Sequence, residues 1–195
     1  MTSKVLPREF YARDPRVVAP ELLNKVLRVG DGRAGRIVEV EAYCGAEDAA
    51  AHTYRGKTAR NATMFGPPGH LYVYFTYGIH HCANAVCGKD GVGVGVLVRA
   101  IEPLNGVDRM REARPKARGV AQIGNGPGKL TQALGINLRH NGADLVDGVE
   151  GIRILDDGID PPALPVVGPR IGIRHAKAEL WRWYVPGHEH VSKPR

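Results

Sequence analysis

The segment from Gly35 to Tyr43, GRIVEVEAY, reads as a β-strand that carries two carboxylates and a tyrosine on one face. Successive strand side chains point to opposite sides, so Glu39, Glu41 and Tyr43 face one way and Val38, Val40 and Ala42 the other. Glutamate is depleted from strands, and a segment otherwise suited to a packed sheet accepts these charges for a reason other than propensity. A solvated face is the ordinary fate of such glutamates, because carboxylates are rarely fully buried. The alternative is a face built for chemistry.

The chain has 195 residues, enough for one sizeable core, and no Pro/Ser/Gly linker or charge block divides it, so one domain spanning residues 1–195 is expected. No apolar run approaches the ~18 residues of a membrane span, and the first residues, MTSKVLPREFYARDP, lack the apolar core of a signal peptide. An intracellular protein is expected. Cys44, Cys82 and Cys87 form an odd set without disulfide-framework spacing, which suits free thiols. Lysine and arginine outnumber aspartate and glutamate 27 to 20, a net charge of +7 that favours a polyanionic partner, nucleic acid first. The basic residues gather at Arg55, Lys57 and Arg60, from Arg109 to Arg118, and from Arg170 to Lys177, each beside a Gly/Pro-rich turn.

Leu22, Leu23, Val26 and Leu27 have helical spacing after Pro20, and Gly30 to Gly32 would end that helix before the Gly35 strand. Beyond Tyr43 a long polar loop with one short helical turn runs to Gly66-Pro67-Pro68-Gly69, and loops of that length usually carry function. LYVYF from Leu71 and IHHCANAV from Ile79, joined by Thr76-Tyr77-Gly78, predict a β-hairpin with Tyr72 and Tyr74 on one face and Tyr77 in the turn. In the run after Lys89-Asp90-Gly91 the glycines 91, 93 and 95 line one side of a strand, which implies a closely packed neighbour. Helices are predicted from Leu104 to about Arg114 and from Pro127 to Leu134, and short strands at Ile152–Leu155, Arg170–Ile173 and Trp183–Val185. Strands with isolated helices and no regular βαβ alternation predict an α+β domain: a curved, mixed but mainly antiparallel sheet, flanking short helices and a protruding hairpin.

Several motifs fail. GNGPGKLT, from Gly124, has Leu130 after Lys129 and Ile123 before it, which breaks the phosphate-loop pattern twice. GVGVGV lacks the third glycine and following helix of a dinucleotide site. His80, His81, Cys82 and Cys87 look metal-like, but strand neighbours point to opposite faces and no second ligand pair has zinc spacing, so no metal site is assigned.

What converges is Glu41 and Tyr43 on one strand, His52 in the next loop, Tyr74 and Tyr77 around the hairpin, Asn84 on its second strand and Arg99 on the following one. With GRIVEVEAYCGAEDAAAHTYRG, RNATMFGPPGHLYVYFTYGIHHCAN, VLVRAIEPLNGV, NGPGKLTQALGI and RIGIRHAKAELWRWYV in order, the chain resembles the alkyladenine, or methylpurine, DNA glycosylase family from about Glu9 to about His188. Cys44, Ala46 and the turn near Lys89 are loop-level departures, and the terminal extensions of longer relatives are expected to be missing.

The resemblance implies a monomeric, monofunctional hydrolase of base-excision repair that needs no cofactor. It would act on double-stranded DNA containing damaged purines: 3-methyladenine, 7-methylguanine, hypoxanthine or ethenoadenine. It assigns Glu41 as general base and Arg99 as its pocket partner, and Tyr43, His52 and Tyr74 as the walls around a flipped base. Asn84 would narrow the pocket against normal guanine, and Tyr77 would be the wedge that fills the vacated stack. Lys129, Arg60 and Arg170 are candidate contacts to the DNA backbone. Glu39 has no assigned role. Rival readings are a damaged-nucleic-acid binding protein with little catalysis and a zinc-dependent nuclease using His80, His81 and Cys82.

Overall fold

The computed structural model describes residues 3–76 and 78–192. Its frame is an open sheet of nine strands: β1 Lys4–Val5, β2 Val26–Arg28, β3 Ala34–Tyr43, β4 Leu71–Thr76, β5 His80–Cys87, β6 Val94–Asn105, β7 Arg153–Asp156, β8 Val166–Gly168 and β9 Arg182–Tyr184. The main path runs β1-β7-β2-β3-β6-β5-β4, with β9 joined to β3 and β8 to β9. All of these pairings are antiparallel. Helices α1 Arg8–Tyr11, α2 Pro15–Leu22, α3 Val107–Ala113 and α4 Pro127–Leu134 flank it. None of the described helices is long and apolar enough to cross a membrane.

β3 is the strand on which the sheet turns. It pairs with β6 along one edge and with β2 and then β9 along the other. A bulge lies at Val38, since Ile37 faces Ile101 while Glu39 already faces Ala100. One extra residue reverses the side-chain alternation beyond it. Ile37, Val40 and Ala42 therefore share the main apolar core, whereas Val38, expected beside Val40, is outside that cluster. The alternation resumes after the bulge, and Glu39, Glu41 and Tyr43 keep the common face read from the sequence.

Other elements shift. The helix expected over Leu22 to Leu27 lies earlier: Asp14 caps it by accepting from the Arg16 N–H, Pro15 occupies the first turn, and it ends at Leu22. Asn24 adopts φ 65°, a left-handed conformation that stops the helix and lets Val26 and Leu27 enter β2. Leu104 belongs to β6 and not to α3. The long loop holds two 3₁₀ turns, Gly45–Glu47 and Ala62–Phe65. Of the three glycines expected along one strand face only Gly95 lies in β6, where a Cβ would meet the Ala85 carbonyl at 2.8 Å and Met64 beyond it. Gly91 and Gly93 precede the strand at φ 86° and 78°; Gly91 has no close neighbour, and a Cβ on Gly93 would meet the Phe65 ring at 2.7 Å. The hairpin forms as expected, Thr76 opposite His80, and Tyr77 lies outside the described residues.

Candidate active site

The Glu39/Glu41 face is neither solvated nor empty. Both carboxylates are fully buried, which carboxylates tolerate only when paired and hydrogen-bonded. Glu41 has three partners: the Ile171 N–H donates to Oε1 at 2.7 Å, the Tyr43 hydroxyl to Oε2 at 2.9 Å, and Arg99 Nη1 lies 3.2 Å from Oε1. Burial pushes the Glu41 carboxyl above its ordinary range, against the pull of Arg99, the Ile171 N–H and the Tyr43 hydroxyl. Glu39 is held more fully. Its Oε1 accepts from Arg182 Nε at 2.6 Å, Ser192 Oγ at 2.8 Å and Arg99 Nε at 3.2 Å, and Oε2 from the Ser192 N–H at 2.7 Å. Arg99 thus bridges the two carboxylates, and Glu39, Arg182 and Ser192 fix the arginine that faces Glu41.

Above this layer lies a cavity of about 520 Å³, a size suited to a small-molecule group. Tyr43, Arg99 and Ile171, the three partners of Glu41, all line it, whereas Glu41 itself is fully buried and meets the cavity only through them. Aromatic rings make another wall: His52 packs edge-on against Tyr74 at 4.4 Å between centroids, and Tyr74 stacks on Tyr72 at 5.4 Å. Period-two spacing on β4 puts the two tyrosines side by side, and the polar loop delivers His52. Burial and the nearby Arg60 push the His52 imidazole below its usual range, so it is neutral at neutral pH. Burial raises the Tyr43 hydroxyl well above the ordinary tyrosine value, which keeps it a donor. Asn84 lines the cavity and also donates to the Tyr72 carbonyl across the hairpin at 3.3 Å.

Arg170, expected to touch the DNA backbone, does something else. Its side chain is buried and makes a two-pronged ion pair with Asp48, Nη2 donating at 2.8 Å, while Nη1 also reaches the Ala42 carbonyl. The guanidinium lies 4.7 Å from the Tyr43 ring centroid and 5.0 Å from that of Trp181. A side chain so enclosed braces Tyr43 and cannot reach a phosphate. The strand expected over Arg170–Ile173 is a loop, because the Ile171 N–H serves Glu41 instead of a ladder and Gly172 takes φ 80°. Arg60 is exposed at the hairpin and donates to the Phe75 carbonyl. Lys129 donates to Asn125 Oδ1 at 2.7 Å beside α4.

Sequence reasoning missed Glu39, Arg182 and Ser192 as a unit, the Ile171 N–H, the Asp48 partner of Arg170, and Met64, Cys82 and Leu97 in the cavity wall. Ile171 lay inside a quoted motif, but a main-chain donor leaves no mark in side-chain spacing. Among the described residues no group of three His, Cys, Asp or Glu side chains comes together as a metal site would require. His80 instead packs its ring against Gly128 of α4.

The family model for methylpurine-DNA glycosylase matches residues 9–189. A Burkholderia lata protein named "Putative 3-methyladenine DNA glycosylase" is 62% identical over 97% of this chain and 92% of its own length. Proteins of the same name from Koribacter versatilis and Methanoculleus marisnigri are 49% and 47% identical, over 97% and 96% of this chain and 94% and 98% of their own. With nearly its whole length matched, the chain belongs to the methylpurine-DNA glycosylase family, a DNA N-glycosylase class of hydrolase.

Proposed function

We infer that the cavity receives a damaged purine nucleotide everted from duplex DNA, and that Glu41 activates the water that hydrolyses its N-glycosidic bond, releasing the base and leaving an abasic site. The observation that carries this reading is one buried carboxylate, held by Arg99, a main-chain N–H and a tyrosine hydroxyl, whose three partner residues line an aromatic cavity. Eversion costs a few kcal/mol in lost pairing and stacking, least for a damaged base. Stacking returns about 1–3 kcal/mol per base. Tyr43 forms one wall, His52 and Tyr74 the other. A positively charged base such as 3-methyladenine or 7-methylguanine gains about 0.5–2 kcal/mol more against tyrosine faces, and a neutral His52 sets no opposing charge there. Hypoxanthine and ethenoadenine are further candidates, taken by shape instead of charge. Asn84 narrows the pocket against the amino group of normal guanine, and Tyr77 fills the gap left in the stack.

Water polarised by Glu41 attacks C1′ as the bond to the base breaks. The proton passes to the carboxylate, and the negative charge beside the sugar stabilises its cationic character in the transition state. Burial raises the basicity of Glu41, while Arg99 keeps it ionised enough to act. Lys129 and Arg60 steady the backbone, and the protein acts inside the cell as a monomer. Glu41→Gln keeps the carboxamide oxygen where the Ile171 N–H needs an acceptor, so the test is single-turnover release from duplex carrying one 7-methylguanine. A fall of about 10²–10⁴-fold with binding retained is expected. Unchanged release would remove Glu41 from the chemistry, and binding without release by the wild type would favour a damage-binding protein.

A further inference from the structure

The basic segment from Arg109 to Arg118 takes no part in the chemistry above, yet it borders a second cavity of about 450 Å³. The first turn of α4 separates the two spaces: Pro127 lines the catalytic cavity, and the next residue, Gly128, lines this one. Ile79, His80 and His81 at the start of β5 form a second wall, so the cavity lies beside the end of the hairpin. Arg114 and Lys116, from the turn after α3, and Gln132, from α4, complete it.

Charge here is one-sided. No aspartate or glutamate lines the cavity, and among the described residues none of Arg114, Lys116, His80 and His81 forms an ion pair. Arg114 Nη1 donates to Gln132 Oε1 at 2.7 Å, while the Arg114 Nε–H is buried without an acceptor. Burial, with no anion to oppose it, holds this guanidinium below the usual arginine range. Unsatisfied buried polar groups are rare in folded proteins, and each calls for a partner or another explanation. Tyr11, Arg170 and His190 carry one as well, and the Arg114 Nε–H is the one that belongs to this cavity's lining. A smaller cavity of about 170 Å³ on the other side of Arg114, lined by Arg111 and Arg118, extends the same positive surface.

We propose that this second cavity is a phosphodiester-binding site that grips the DNA backbone beside the hairpin, with Arg114 as its fork and Lys116 and His80 at its rim. The inference rests on DNA as the bound partner. A phosphate has the geometry that a guanidinium fork satisfies with two parallel bonds, and Gln132, a neutral acceptor, is readily exchanged for it. Such a contact positions the duplex without reading sequence or damage.

The test is the salt dependence of binding to undamaged duplex and to duplex carrying one 7-methylguanine, between about 50 and 200 mM salt, with single-turnover base release at saturating protein measured alongside. Arg114→Gln should weaken both duplexes equally, about tenfold, and lower the slope of log affinity against log salt by about 0.9. Lys116→Gln, at an exposed position, should act in the same direction and covers the case in which Arg114→Gln does not fold. Slopes unaltered in the folded variants, or affinity lost on damaged duplex alone, would overturn the site. Wild-type base release with unaltered variant slopes would sink this site and leave the proposed chemistry standing. Reduced variant slopes without any wild-type release would do the reverse.

Discussion

Replacing Glu39 by glutamine separates the structural work of the buried network from its effect on chemistry. In the wild type two arginines, Arg99 and Arg182, share two buried carboxylates, Glu39 and Glu41, so the cluster is neutral. Glutamine removes one charge and presents an NH₂ group to either the Ser192 N–H or the donors now on Oε1, and each of those is itself a donor. Leaving a buried charge uncompensated costs about 3–5 kcal/mol; at about 2–4 °C per kcal/mol for a chain of this size, the melting temperature should fall by roughly 6–20 °C. Its effect on Glu41 has the opposite sense. The Glu39 charge helps hold the Glu41 carboxyl up, and Arg99 holds it down. With Glu39 neutral, Arg99 serves Glu41 alone, and Glu41 ionises at lower pH. The assay is single-turnover base release against pH, run well below the variant's melting temperature. The acid limb should move to lower pH and the plateau should fall, since a less basic carboxylate extracts a proton from water less well. A lower melting temperature with an unmoved acid limb would refute the coupling and reduce Glu39 to scaffold.

In the wild type, release should rise with pH along a limb whose midpoint lies above 4.5, the ordinary glutamate value from which burial raises Glu41. The same raised carboxyl contributes stability that is complete below the ordinary range and lost as pH climbs through the folded value. Glu41→Gln should therefore gain stability relative to wild type from acid to neutral pH, and calorimetry showing the opposite trend would contradict the sign. Arg170→Gln should cost about 3–5 kcal/mol by leaving Asp48 buried and alone and leave the salt slope of DNA binding untouched; a reduced slope would return Arg170 to the backbone contacts. Tyr77→Ala should slow release from a paired lesion more than from a mispaired one, because mispairing lowers the cost of eversion. Equal defects would count against the wedge.

Legibility differed between the parts of the site for physical reasons. Tyr43 and Tyr74 stand on strands whose alternation over two residues assigns them a face, and both line the cavity; Asn84 and Arg99 line it too, but the family motifs and not alternation singled them out. His52 lies in a loop with no such periodicity, so only the ordered family motifs pointed to it. Arg170 misled because composition counts an arginine as a surface cation, and nothing local reveals that Asp48, 122 residues away, is its partner. The helix read through Val26 failed because apolar residues spaced for a helix fit a buried strand equally well once Asn24 turns the chain.

Composition and order along the chain were enough to establish a basic α+β protein, the hairpin, the α4 boundaries and the carboxylate-bearing strand, since these follow from net charge, turn chemistry and short-range periodicity. Tertiary packing alone decided that both glutamates are buried, that the bulge at Val38 resets the core side of β3, and that Ser192 closes over Glu39 from near the end of the chain. Burial and ion pairing depend on groups far apart in sequence meeting away from water, and spacing along one strand holds no record of that meeting.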